Sequence, residues 1–110
     1  MKTVSDTLKA ARDLLVTKGW TQGTFARTAA GHTVEGHHEF AVCYCGWGAL
    51  EAVTRELFTP EFQAADRALM AAGGFTHFPS FNDTPGRTLD EVLEVFDKAI
   101  AAQEAPLDPQ

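Results

Sequence analysis

"FNDTPGRTLDEVLEVFDKAI", residues 81–100, decides the fold class. Thr88 and Glu91 form a T-x-x-E capping box, in which the threonine side chain accepts from the backbone N–H three residues on and the glutamate reaches back to the threonine's own N–H. Leu89, Val92, Leu93, Phe96 and Ile100 then recur at helical spacing along one face, with Asp90, Glu94 and Asp97 opposite. Just upstream, Thr84, Pro85, Gly86 and Arg87 fit a type II turn, with proline preset at the second place and glycine supplying the positive φ of the third. Pro85, Gly86, Thr88 and Glu91 therefore have backbone duties. Phe81, Asn82, Asp83 and Arg87 are not fully explained in this way.

Toward the N-terminus the same period recurs three times. Val4, Leu8, Ala11 and Leu15 form the stripe of a first helix that Gly19 is placed to end. Val42, Cys45, Ala49, Val53 and Leu57 predict a second helix over residues 40–57, although Gly46 and Gly48 each weaken it by about 1 kcal/mol relative to alanine. Close packing against a neighbouring backbone is the favoured reason for those glycines, ahead of a ligand resting on bare backbone. Thr59 and Pro60 start a third helix, Phe62, Ala65, Leu69 and Ala72 line it, and Gly73 and Gly74 stop it. The expectation is a mainly α, small four-helix domain over residues 1–104, followed by a frayed tail at 105–110. The long connection "WTQGTFARTAAGHTVEGHHE", residues 20–39, contains a candidate hairpin in which "TFAR" and "HTVE" flank "TAAG".

Composition narrows the function classes. With 110 residues, 45% hydrophobic and 22% charged, the chain has enough apolar material for a core without disulfides or a structural metal. The charged residues scattered through "MKTVSDTLKAARDLL" fit neither a signal peptide nor a membrane span. Cys43 and Cys45 lie too close in sequence for an unstrained disulfide, which agrees with a reducing compartment, and the chain reads as cytoplasmic. The net charge of −6 is concentrated at the end: residues 89–110 hold six acids against the single base Lys98. With no Lys/Arg cluster, the chain lacks the electrostatic footprint of a nucleic-acid binder.

Three segments carry a family resemblance: "GWTQGTFAR" (19–27), "CGWGAL" (45–50) and "FNDTPGRTLDEVLEVFDKAI" (81–100). Their order resembles an uncharacterised family of small proteins from actinobacteria, other bacteria and their phages, with W-x-Q-G…A-R, C-x-x-G-A-L and N-D-x-P-x-R-T blocks. The resemblance marks Trp20, Gly23, Arg27, Cys45, Gly48, Asn82, Asp83, Arg87 and Thr88, and it implies no established activity. The histidine-containing segment 28–44 lies outside it.

Candidate chemistry follows from residue types. "GHHEFAVCYC" gathers His37, His38, Glu39, Cys43 and Cys45, all zinc-ligand types. On a helix the two cysteines would point about 200° apart, so no metal and no cofactor is expected. Cys45 on the inner stripe of a helix reads as an inert buried thiol, and no nucleophile elbow, H-E-x-x-H pair or phosphate loop is present, so the reading leans away from an enzyme. Trp20, Gln22, Arg27, Asn82, Asp83 and Arg87 remain. Their structural reading is a polar network that ties two loops together, with Arg27 or Arg87 paired to Asp83 or to carbonyls at a helix end; their functional reading is a pocket for a small polar ligand. The function expected is therefore a non-enzymatic interaction protein, accessory or phage-related, that binds a protein partner through loop aromatics and the acidic face of the last helix. A homo-oligomer is an additional arrangement. The runner-up is a small polar-ligand binder or hydrolase using Asn82, Asp83, Arg27 and Arg87, with Cys45 behind them.

Overall fold

The computed structural model describes residues 3–105. The expected tail, beyond Ala105, lies outside the described residues. Five helices and a small sheet follow in the order α1 (Val4–Thr17), β1 (Ala26–Arg27), β2 (Thr33–Val34), β3 (Cys43–Tyr44), α2 (Gly46–Thr54), α3 (Pro60–Gly73), α4 (Phe78–Asn82) and α5 (Leu89–Glu104). The chain is mainly α, but among the described residues the four-helix expectation is corrected to five helices and a three-stranded sheet.

Local chemistry sets most boundaries. Thr3 caps α1 in a capping box with Asp6, and Thr59 caps α3 ahead of Pro60. The Thr88–Glu91 box starts α5, and the Thr88 backbone N–H holds the Glu91 carboxyl below its ordinary range. Before it, Gly86 takes φ +83° and the Arg87 N–H donates to the Thr84 carbonyl at 3.0 Å, as the type II turn requires.

One buried cluster joins all the long helices. Leu8, Ala11 and Leu15 of α1 meet Ala49 and Leu50 of α2, Phe62, Ala65 and Leu69 of α3, and Val92, Phe96 and Ala99 of α5. Phe78, at the start of α4, is fully buried beside Phe96, with ring centroids 5.9 Å apart. Phe75 stacks on Phe81 at 4.8 Å, so the phenylalanine-rich connection before α5 folds onto the core. At the surface, Arg12 of α1 pairs with Asp97 of α5 at 2.6 Å, and Lys98 pairs with Glu94 at 3.1 Å. Two of the three carboxylates on the acidic face of α5 thus already have basic partners in this chain.

The hairpin forms as the sequence predicts, with Ala26 opposite Val34 and Arg27 opposite Thr33. The helix expected over residues 40–57 does not begin at its predicted place. Residues 43–44 instead pair with β1 as a third strand, giving the sheet order β2-β1-β3, and the helix starts only at Gly46 with Cys45 as its N-cap. The reason is tertiary: the Val42 N–H donates to the Arg27 carbonyl at 2.8 Å and the Cys45 N–H to the Phe25 carbonyl at 3.0 Å, so partners distant in sequence satisfy these groups. At the other end Arg55 adopts φ +74° and stops α2 short of Leu57.

The glycine expectation is answered by contact. A Cβ on Gly48 would sit 1.8 Å from the Phe25 carbonyl oxygen, and one on Gly46 would sit 2.4 Å from the Phe78 ring. The Phe25 backbone just ahead of β1 and the buried Phe78 ring occupy the space that a Cβ at these positions of α2 would need.

Candidate functional site

Asn82 is the hub at which the marked residues meet. It is fully buried at the last position of α4, and its side chain makes four hydrogen bonds. Its Oδ1 accepts from Trp20 Nε1 at 2.8 Å and from the Gly46 N–H at 3.1 Å. Its Nδ2 donates to the Thr21 carbonyl at 3.1 Å and to Asp83 Oδ1 at 2.9 Å. An amide offers two donors and two acceptor lone pairs, so its whole capacity is used within the chain. The same short helix accepts once more at its backbone, where Gln22 Nε2 donates to the Asn82 carbonyl at 2.8 Å.

Asp83, exposed beside this hub, accepts the Gly23 N–H at 2.9 Å as well as the Asn82 amide. The connection at residues 20–23, the start of α2 and the end of α4 are thereby clasped around one side chain. Fixed donors and acceptors in a site shielded from water reinforce one another, and a partner lost from such a set leaves the others unsatisfied.

The two arginines lie at the margins, and neither pairs with Asp83 among the described residues; of the two arrangements expected, Arg87 takes the other, at a carbonyl near the end of α4. Arg27 Nε donates to Thr21 Oγ1 at 3.0 Å, and its terminal nitrogens donate to the Gln22 carbonyl at 3.2 Å and the Gly31 carbonyl at 3.3 Å. It braces the connection from the sheet side. Arg87 Nε donates to the Phe81 carbonyl at 2.9 Å, and its guanidinium lies 3.9 Å over the Phe81 ring, so it ties the turn to α4 by hydrogen bond and cation–π contact together.

Cys45 lies next to the hub. Its Sγ accepts the Gly48 N–H at 3.3 Å as the N-cap of α2, and burial pushes its thiol up to about 11. At neutral pH it is a protonated capping group with no thiolate to offer. Cys43 is half-buried, and both thiols are free. Cys43 lies in β3 and Cys45 is the N-cap of α2, so helical geometry does not set the directions of the two thiols.

The sequence reading overlooked a second polar cluster. Glu51, the one charged residue of α2, is 2% exposed; its Oε1 accepts the Gly36 N–H at 2.9 Å and its Oε2 lies 2.5 Å from His37 Nδ1. The other ring nitrogen, His37 Nε2, lies 3.1 Å from Glu35 Oε2. Gly36 permits this approach, since a Cβ there would fall 2.2 Å from the Gly48 carbonyl oxygen. A lone glutamate within the apolar run "GWGALEAV" was the available signal, because an acid in such a stretch requires a buried partner. His32, His38 and His77 are exposed.

A third feature is apolar. Lys18, Thr28, Ala29, Ala30, Glu39, Phe40, Ala41 and Val42 line a shallow groove of about 540 Å³ beside β3. Phe40 is 65% and Val42 40% exposed on it. None of the helices among the described residues is long and apolar enough to cross a membrane.

No curated protein and no solved structure matches the chain. A family match covers residues 1–102, and with them the clasp, the Glu51 cluster and the groove. The chain therefore belongs to the family described as "Family of unknown function (DUF6197)", one with no established activity.

Proposed function

We propose that the protein is a non-enzymatic interaction protein whose contact surface is the groove beside β3, with the Asn82 clasp holding that surface in shape. The observation that carries this reading is a contrast in availability. Every hydrogen-bonding position of the Asn82 side chain is engaged inside the chain, whereas Phe40 and Val42 stand open to solvent on the groove. Large apolar side chains grouped at the surface lower the free energy of a partner that covers them. The partner best suited is a protein segment that seats an apolar side chain on Phe40 and Val42, with Lys18 and Glu39 available to its polar groups. An accessory role in a bacterial or phage setting, as the sequence resemblance implies, is compatible with such a module.

The alternative, a small polar-ligand binder or hydrolase centred on Asn82, Asp83, Arg27 and Arg87, is weaker on the same geometry. A ligand there would have to displace bonds that the residues already make with one another, and Cys45 supplies no nucleophile.

Selection of displayed random peptides against the wild type and Phe40→Ser separates the readings. Peptides with an apolar anchor that enrich on the wild type and lose at least tenfold in affinity on the variant are the expected result. Selected peptides that bind both proteins equally, or a thermal-shift response to nucleotides, amino acids or sugar phosphates that Asp83→Ala removes, would overturn it.

A further inference from the structure

We propose that Glu35 and His37 form a binding site for a divalent transition-metal ion of the zinc type, with buried Glu51 as the carboxylate that positions the imidazole. The Glu51 carboxylate is almost wholly shielded from water, and the only basic side chain it meets among the described residues is His37. One oxygen is held by the Gly36 N–H, so the other is aimed at His37 Nδ1 by the backbone and not by a free rotamer. The 2.5 Å contact holds one proton between the two groups, and with Glu51 ionised that proton sits on Nδ1.

An ionised Glu51 thereby selects the tautomer. With Nδ1 protonated, the neutral imidazole presents its lone pair at Nε2, on the side of the ring that faces the Glu35 carboxylate. That carboxylate oxygen lies 3.1 Å from Nε2. Two lone-pair-bearing atoms at this separation attract only through a cation between them, either a proton or a metal ion. With metal–nitrogen and metal–oxygen bonds of about 2.1 Å, a separation of 3.1 Å closes at about 95°, an angle open to six-coordinate and distorted four-coordinate ions.

Charge favours the metal. A proton at Nε2 leaves two carboxylates against one imidazolium, whereas a divalent ion on the neutral imidazole balances both carboxylates. A carboxylate that holds the far nitrogen of a ligating histidine is the recurring support of such sites, since it fixes the ring and raises its basicity. Glu35 is 70% and His37 37% exposed at their side chains, so the ion has an open path and water is available to complete its coordination. The site does not depend on the groove proposed above, and neither Phe40 nor Val42 takes part in it.

The test is a titration of the full chain with Zn²⁺, followed through the histidine ring nitrogens by ¹⁵N NMR. A saturable shift of His37 Nε2, with Nδ1 keeping its proton, is expected at one equivalent, and Mg²⁺ should leave the ring unmoved. His37→Gln should abolish the effect. Glu35→Gln should raise the dissociation constant about tenfold or more without changing the melting temperature, and Glu51→Gln should raise it about 10- to 100-fold. Should Glu51→Gln fail to fold, the exposed Glu35 variant still decides the matter. A Nε2 resonance indifferent to Zn²⁺, or a response that survives Glu35→Gln undiminished, would overturn the proposal and leave a proton as the bridging cation.

Discussion

The connection between α1 and α2 contains two halves of opposite character. Residues 19–27 are mostly buried or half-buried, and their side chains and backbone reach some 60 positions along the chain, from Trp20 to Asn82 and from Gly23 to Asp83. Residues 28–40 are mostly exposed. Their bonds are largely local, such as Gly31 N–H to the Thr28 carbonyl and His38 N–H to the Glu35 carbonyl, with one firm long-range anchor where Gly36 and His37 meet Glu51. Loop length therefore says little about availability. What separates the halves is whether their polar groups find buried partners, because those that do must stay and those that do not remain free to meet something else.

The sharpest way to break this contrast is Asn82→Ala. It leaves Trp20 Nε1, the Gly46 N–H and the Thr21 carbonyl without their partner in a buried site, and at about 1 to 3 kcal/mol for each group left unsatisfied the loss should reach about 3 to 5 kcal/mol. Thermal unfolding should show a drop of about 15 °C or more for a domain of this size. A drop of only a few degrees would mean that water reaches the hub and the two halves differ less than the geometry implies.

Asp83→Ala should cost less, about 1 kcal/mol, since this side chain is exposed and water can replace it at the Gly23 N–H. Denaturant melts of the two variants side by side would rank the buried hub against its exposed neighbour. Phe40→Ser should shift stability by no more than about 0.5 kcal/mol, since the ring is already in water. A larger loss in urea titration would show that the second half supports the fold as well as presenting a surface.

Legibility followed the same division. The capping box of α5, the Pro60 start of α3 and the Thr84–Arg87 turn were readable because their chemistry is complete within a few residues. The hairpin was readable for the same reason, with Gly31 in its loop at φ +86°. The start of α2 was not, because the apolar spacing of Val42, Cys45 and Ala49 suits a helix, and only pairing with Ala26 and Arg27 turns residues 43–44 into a strand. Among the candidate site residues, Trp20, Gln22, Asn82 and Asp83 stood out as polar or amphipathic groups without local duties, and they do converge. Arg87 has a local duty after all, at the Phe81 carbonyl and ring. Glu51 escaped notice because its partners, Gly36 and His37, are 15 and 14 residues away.

Sequence alone determined the helical class of the chain, the ends of its best-capped helices and the set of residues lacking a local purpose, since periodicity and capping act over one or two turns of backbone. Tertiary structure decided the third strand, the saturation of Asn82, the pairing of Glu51 with His37 and the exposure of Phe40. Each of these depends on which distant group arrives to satisfy a donor, an acceptor or an apolar face, and no local spacing encodes that.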